Sequence, residues 1–297
     1  MTGIDGQTFS GASVLIRYVN FVKLPHTVFA LPFALVGVVY ASWSTGVTAG
    51  TAALVLVAFT AARFAAMGFN RIVDRDVDAA NPRTAGRELP AGKLTVTAAG
   101  AAVAAAAAVF IGCAYLLNPL CFVLSPFALA WVLLYSFTKR WTHWSHLWLG
   151  ASLAIAPAGG YLAVTGAWPE TWWTLPVIGL AVLAWVAGFD IFYALQDESF
   201  DRSHGLKSAV VRLGRGRAIL AARLLHGVTI VALIVFGWGT AFGWLYHGGV
   251  AVAAVLLMYE HRLVRLEDLR RVDAAFFRMN GIMSVIVFLF AFGDRLI

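Results

Sequence analysis

Apolar runs of about 20 residues, the length a helix needs to cross a bilayer, recur along the chain between short polar breaks. They predict helices at Leu15–Trp43, Thr48–Phe69, Leu94–Leu117, Pro119–Phe137, His146–Thr165, Thr171–Leu195, Ala218–Thr240, Trp244–Tyr259 and Ala274–Phe292. The fourth and eighth runs are the shortest. The expected fold is therefore all-α: a polytopic membrane protein of about nine transmembrane helices, with residues 1–297 forming a single domain.

The breaks between runs are of two kinds. Ser44–Val47, Asn118, Gly166–Glu170 and Ala241–Gly243 contain no Lys or Arg. The alternate breaks are basic: Arg71, Arg75, Arg83, Arg87 and Lys93; Lys139 and Arg140; Arg202, Lys207, Arg212, Arg215 and Arg217; Arg262, Arg265, Arg270, Arg271 and Arg278. With Arg17 and Lys23 at the start of the first run, 19 of the 22 basic residues fall on one side. Cytoplasmic loops carry the excess of Lys and Arg, so that side is expected to be cytoplasmic, with the N-terminus inside and the C-terminus outside.

Composition sharpens the class. Hydrophobic residues make up 61% and charged residues 12% of the 297, against about 25% charged in soluble domains. A soluble surface cannot be built from what remains. The net charge of +7 reads as topology and headgroup attraction. It is split among loops without a stacking platform, which argues against nucleic acid as a partner. Met1–Gly11 is short and polar and lacks a basic n-region, so no removable signal peptide is expected. Cys113 and Cys121 form no CxxC pair and read as small packing residues. Trp141, Trp144, Trp148, Trp168, Trp172 and Trp173 near span ends read as an aromatic belt. The alanine-rich stretch Ala98–Val109 reads as a close helix contact.

Seven of the 15 acidic residues fall in two short segments. In Asn70-Arg-Ile-Val-Asp74-Arg-Asp76-Val-Asp78, helical spacing puts Asn70, Asp74 and Asp78 on one face, with Asp76 elsewhere. In Asp190-Ile-Phe-Tyr193-Ala-Leu-Gln-Asp197-Glu198-Ser-Phe-Asp201, Asp190, Tyr193, Asp197 and Asp201 share a face and Glu198 lies off it. Each segment closes an even-numbered span and precedes a basic loop. This predicts two pseudo-repeated halves around a central cavity, an arrangement common in membrane proteins. Converging carboxylates repel unless cations neutralise them. Hard oxygen ligands suit Mg²⁺, which bridges carboxylates to substrate phosphates, while loop Arg and Lys grip the remaining phosphate oxygens. Such a site stabilises charge on a departing diphosphate. The bland reading of either segment is a solvated helix end. Two of them at matching places in a chain so poor in charge favour chemistry.

The two segments resemble the motifs of the UbiA-type intramembrane prenyltransferase family. The first, NDxxDxxxD, is matched at Asn70, Asp74 and Asp78, with Arg71 in the second position instead of Asp. The second, DxxYAxxDxxxDxxxGxKS, is matched at Asp190, Tyr193, Ala194, Asp197, Asp201, Gly205, Lys207 and Ser208. The loop Asn81–Gly92 is similar to the family's loop as well. The resemblance implies Mg²⁺ and an allylic polyprenyl diphosphate. Lys23–Phe33, Tyr135–Arg140 and Trp185–Asp190 look like the 4-hydroxybenzoate branch and its menaquinone-pathway relatives, which implies an aromatic acid acceptor in ubiquinone or menaquinone synthesis at a bacterial inner membrane.

On that resemblance, Asn70, Asp74 and Asp78 are expected to hold one Mg²⁺, and Asp197 and Asp201 another. Asp190 is expected to bind the acceptor, orient the second segment or take the ring proton. Arg63, near the same helix face as Asn70, is expected to contact diphosphate or a substrate carboxylate, and Lys139, Arg140 and Lys207 to grip phosphate. Tyr193 either steadies a developing allylic cation through its π face or packs. His143 and His146 lack a nearby ligand set and read as interface packing, and His204 reads as a solvated loop residue, with contact to substrate as the alternative. No obligatory protein partner is evident. Rival readings are a haem, chlorophyll or lipid-ether member of the family, and a cation-coupled secondary transporter.

Overall fold

A computed structural model describes Phe9, residues 13–263 and residues 272–297, with side chains at all of these except 26, 28 and 272–278. Arg265, Arg270 and Arg271, the side chain of Arg278, and most of Met1–Gly11 thus lie outside the described residues. What is described is helical. A short helix α1 (Val14–Phe21) and a 3₁₀ turn (Leu24–Phe29) lead into α2 (Leu31–Ala41), α3 (Ala49–Val73) and the brief α4 (Arg75–Ala80). Then come α5 (Val96–Leu117), α6 (Pro119–Trp141), α7 (Ser145–Thr165) and α8 (Thr174–Ala194). The chain continues with α9 (Glu198–Ser203), α10 (Ala209–Leu213), α11 (Arg215–Trp238), α12 (Trp244–Leu263) and α13 (Val272–Leu296).

Seven of these helices are long and apolar enough to cross a membrane: α3, α5, α6, α7, α8, α11 and the part of α13 from Met279. The expected first span, Leu15–Trp43, is not one helix. Pro25 and Pro32 each remove a backbone donor, and Lys23 sits at φ 46°, so the chain turns twice before α2. The expected eighth span is present as α12, but His247, Tyr259, Glu260, His261 and Arg262 make it too polar to stand with the seven.

Side-chain caps start the helices where the sequence supplies them. Thr48, Thr95 and Asn118 accept from the backbone N–H groups of Thr51, Ala98 and Cys121. Asn118 also donates to the Leu162 carbonyl at 2.9 Å, closing the end of α7. Asp294 accepts from the N–H groups of Gly243, Leu245 and Tyr246, capping α12 from the far end of α13. The Thr48, Asn118 and Asp294 contacts, with Arg295 on Ser42, gather at the end of the bundle whose loops lack basic residues. At the opposite end Arg17 reaches Lys93, Arg83 reaches Asp197 and Lys207 reaches Trp141.

The core centres on α8, packed between α7 and α11. Trp185 is fully buried there against Phe33 and Phe189. Of the most apolar 18-residue stretch, 67% is buried in α8 but only 17% in α5 and 11% in α6. The last two present their sides outward, as lipid-facing helices do. Helices α2 and α7 approach closely through glycine. A Cβ at Gly37 would strike the Pro157 carbonyl, and one at Gly160 the Ala34 carbonyl. Gly160→Val is therefore expected to destabilise the protein by about 1–3 kcal/mol, read as a lower melting temperature in detergent; an unchanged melt would show that the two helices separate freely.

Candidate active site

Each acidic segment spans a break between two helices, one residue long at Asp74 and three residues long at 195–197. Asp74 ends α3 with φ −95° and ψ 6°, and Asp197 precedes α9 with φ −97° and ψ 1°. The turn after each break is closed by an i+4 bond: Asp78 N–H donates to the Asp74 carbonyl at 2.7 Å and Asp201 N–H to the Asp197 carbonyl at 2.8 Å. The expected continuous helical faces are thus jointed, because Asp in the residue before a new helix turn tolerates this bridge conformation. Asp76 points outward, 86% exposed, as the spacing predicts. Glu198 lies apart, paired with Arg202 and Arg215.

The loop after the first segment lies across the second. Arg83 donates from Nε and Nη2 to the two oxygens of Asp197, at 2.9 and 2.5 Å, and from Nη1 to the Tyr193 hydroxyl at 2.6 Å. Its guanidinium also covers one face of the Tyr193 ring, 4.9 Å from the centroid. Asn81 adds a bond to Asp197 at 3.3 Å. On the first segment, Arg140 pairs with Asp74 at 2.9 Å, Asn70 donates to Asp74 at 3.0 Å, and Arg87 pairs with Asp78 at 2.6 Å. The Lys139 ammonium sits within electrostatic reach of Asp74, Asp190, Asp197 and Asp201. The structure therefore brings the two segments to one site, with Lys139 between them.

Three carboxyls there have different protonation preferences. Burial alone would raise Asp197, but the hydrogen bonds and charge of Arg83 outweigh it and hold this carboxyl below its ordinary value. Burial keeps Asp74 and Asp201 above theirs, despite Arg140 and Lys139 nearby. Asp78 and Asp201 each present a buried Oδ2 with no hydrogen-bond partner among the described residues. Unsatisfied buried carboxylate oxygens are costly unless a cation reaches them. Among the described residues no three His, Cys, Asp or Glu side chains converge on one point. The donor set nonetheless fits Mg²⁺, which takes one or two carboxylates and completes its shell with water and phosphate.

Other expected residues are placed less centrally. Lys207 donates from Nζ to the Trp141 carbonyl at 3.1 Å, closing α6 rather than meeting a carboxylate. Among the described residues Arg63 pairs with no carboxylate, and its Nε is buried without a partner. Arg71 turns inward, 4% exposed and 3.9 Å from Asp78. His204 stacks on Phe200 at the surface. His146 is not interface packing: it is 1% exposed and lies 2.6 Å from Asp190. Its place opposite an acid on another helix leaves no local pattern in the sequence. Arg83 and Arg87 read as loop charge, and their partners lie 114 and nine residues away; only the run of Arg after an acidic segment hints at them.

The UbiA prenyltransferase family model matches residues 30–282. A 4-hydroxybenzoate octaprenyltransferase of Alcanivorax borkumensis is 30% identical over 254 residues, 84% of this chain and 86% of that protein. The apo structure of a UbiA homolog from Aeropyrum pernix is 33% identical, with a TM-score of 0.82 over 91% of this chain and 98% of the other. A UbiA homolog from Archaeoglobus fulgidus, solved bound to GPP and Mg²⁺, has a TM-score of 0.73 at 19% identity, covering 95% of this chain and all of its own.

Proposed function

The chain belongs to the UbiA prenyltransferase family, and from that premise we propose that it transfers a polyprenyl group from its diphosphate, with Mg²⁺, to an aromatic acid. The acceptor is 4-hydroxybenzoate or a dihydroxynaphthoate, and the product serves ubiquinone or menaquinone synthesis. The observation that carries this reading is the junction of the two acidic segments through Asn81 and Arg83 onto Asp197. Family membership sets the transporter reading aside.

Asn70, Asp74 and Asp78 on one side, and Asp197 and Asp201 on the other, are the residues that would hold Mg²⁺. The ion, when bound, offsets the negative charge that grows on the departing diphosphate. Arg83, Arg87, Arg140 and Lys139 neutralise the carboxylates in its absence. With the carboxylates otherwise engaged, these side chains turn to the diphosphate oxygens, where Arg binds two at a time. The allylic C–O bond breaks with its electron pair going to diphosphate. An electron-rich ring carbon, ortho to a hydroxyl, forms the new C–C bond, and Asp190 takes the ring proton. Tyr193 presents to the allylic carbon whichever face Arg83 leaves open. Arg63, with its unpartnered Nε, receives the acceptor's carboxylate. The basic end faces the cytoplasm of a bacterial inner membrane, with the N-terminus on the same side.

Purified protein in lipid, given Mg²⁺ and a polyprenyl diphosphate, is expected to yield a prenylated aromatic acid by mass spectrometry. Parallel reactions with 4-hydroxybenzoate and 1,4-dihydroxy-6-naphthoate name the acceptor, and EDTA is expected to stop both. Intact diphosphate and no product with either acid would sink the aromatic-acid assignment.

A further inference from the structure

His146 enters at the start of α7 and its ring is enclosed by α8 and α10. Both ring nitrogens are engaged. Nε2 faces the Ala209 backbone N–H at 3.3 Å, and Nδ1 faces Asp190 Oδ2 at 2.6 Å. A backbone N–H only donates, so Nε2 accepts and carries no proton. The neutral ring then has its hydrogen on Nδ1, directed at the carboxylate. Among the described residues Asp190 Oδ1 has no hydrogen-bond partner, and it is not one of the buried unsatisfied atoms, so it is the oxygen open to a ligand.

Asp190 has a competing partner. The Lys139 ammonium attracts it and also lies within reach of Asp197 and Asp201. A carboxylate free to rotate would fold onto that cation, masking its basic oxygen and withdrawing the Lys139 charge from the acidic segments. A short charge-assisted bond from a donor fixed on both sides prevents this.

We propose that His146 is a positioning residue: its Nδ1–H holds Asp190 Oδ2 so that Oδ1 faces the acceptor ring and stays off Lys139. The inference rests on the prenyl transfer proposed above. In the final step the ring C–H proton passes to Oδ1 and the C–H electron pair restores the aromatic ring. The His146 proton stays on Nδ1 throughout. With Nε2 closed by Ala209, the imidazole is a fixed donor and has no path as a shuttle. The same contact ties the turn that follows Lys207 and Ser208 to the acceptor side of the site.

Side-chain amides separate these roles. His146→Asn places an N–H near the position of Nδ1, His146→Gln places one near Nε2, and His146→Leu places none. His146→Leu and His146→Gln are expected to lose kcat by about 10²-fold with KM for the diphosphate unchanged, and His146→Asn to restore most of the loss. His146→Asn as inactive as His146→Leu, with both melting like wild type, would overturn the proposal, because a titrating ring would then be required. Wild-type kcat in His146→Leu would overturn it as well. Should the variants not fold, ¹⁵N spectra of the imidazoles in the wild-type protein decide: a proton on Nδ1 and a bare Nε2 support the assignment, and the opposite tautomer or a doubly protonated ring defeats it. That readout needs no acceptor, so an inactive wild-type protein would sink the aromatic-acid reading without touching the tautomer.

Discussion

Asp201→Asn is expected to lower prenyl transfer by about 10²–10³-fold in kcat, while the metal-free variant melts no lower than wild type. The two halves of this result have one cause. Asp201 is 2% exposed and its Oδ2 has no hydrogen-bond partner among the described residues, so its charge is an acceptor waiting for a cation. Burial raises its carboxyl above the ordinary value. A carboxyl whose folded pKa is raised favours the fold while protonated, and that contribution fades as pH rises through the folded value. At neutral pH the ionised group therefore costs stability, and the uncharged amide removes the cost. Raising the pH from about 4 to 7 should consequently lower the melting temperature of the metal-free wild type more than that of the variant. Wild-type turnover in Asp201→Asn would refute the metal role, and a sharply lower melt would show that the carboxylate is held by the protein itself.

Arg83→Ala tests the other side of the site. Arg83 is 18% exposed in its side chain and Asp197 12%, and the pair meets through two bonds while a third holds Tyr193. Removing one partner of a buried pair leaves the other charge uncompensated and costs about 3–5 kcal/mol. The metal-free variant should melt well below wild type at neutral pH. The Asp197 carboxyl is depressed in the fold, so the pair's contribution is present above the ordinary carboxylate range and is lost as pH falls through the folded value. The gap between variant and wild type should close on acidification. Mg²⁺ supplies the missing charge, so it should raise the melting temperature of Arg83→Ala more than that of wild type. Equal shifts in the two proteins would mean that the metal and Arg83 do not share Asp197. Turnover at saturating Mg²⁺ should still fall, because the diphosphate has lost a bidentate grip.

Much of this arrangement is legible in the residue order because it is local. The i, i+4 spacing of Asn70, Asp74 and Asp78, the outward Asp76 and the matching spacing from Asp190 to Asp201 all follow from helical period. The joints at Asp74 and at residues 195–197 do not, since the same spacing serves a continuous helix and a bent one. Hydropathy also passes over the break in the first expected span, where the apolar run continues while Pro25 and Pro32 force the backbone to turn. The contacts Arg83–Asp197 and His146–Asp190 join distant parts of the chain. Such pairs are set by how helices stack, and a basic loop or a lone His carries no mark of the acid it will meet.

The uneven burial of the spans bears on how freely this sequence can drift. Helix α8 is enclosed on most sides, with Gly150 of α7 set against the Leu183 backbone and Gly188 against the His226 ring. Nearly any added volume there must be absorbed by a neighbour. Helices α5 and α6 show mostly lipid-facing positions, where one apolar side chain substitutes for another at little cost. Over evolutionary time the outward faces of the α5–α6 hairpin are free to change their spelling while α8 keeps its own. A library built to adapt the enzyme to a bilayer of different thickness should accordingly place its diversity at the outward apolar positions of that hairpin, sparing Lys139 and Arg140, and leave α8 intact.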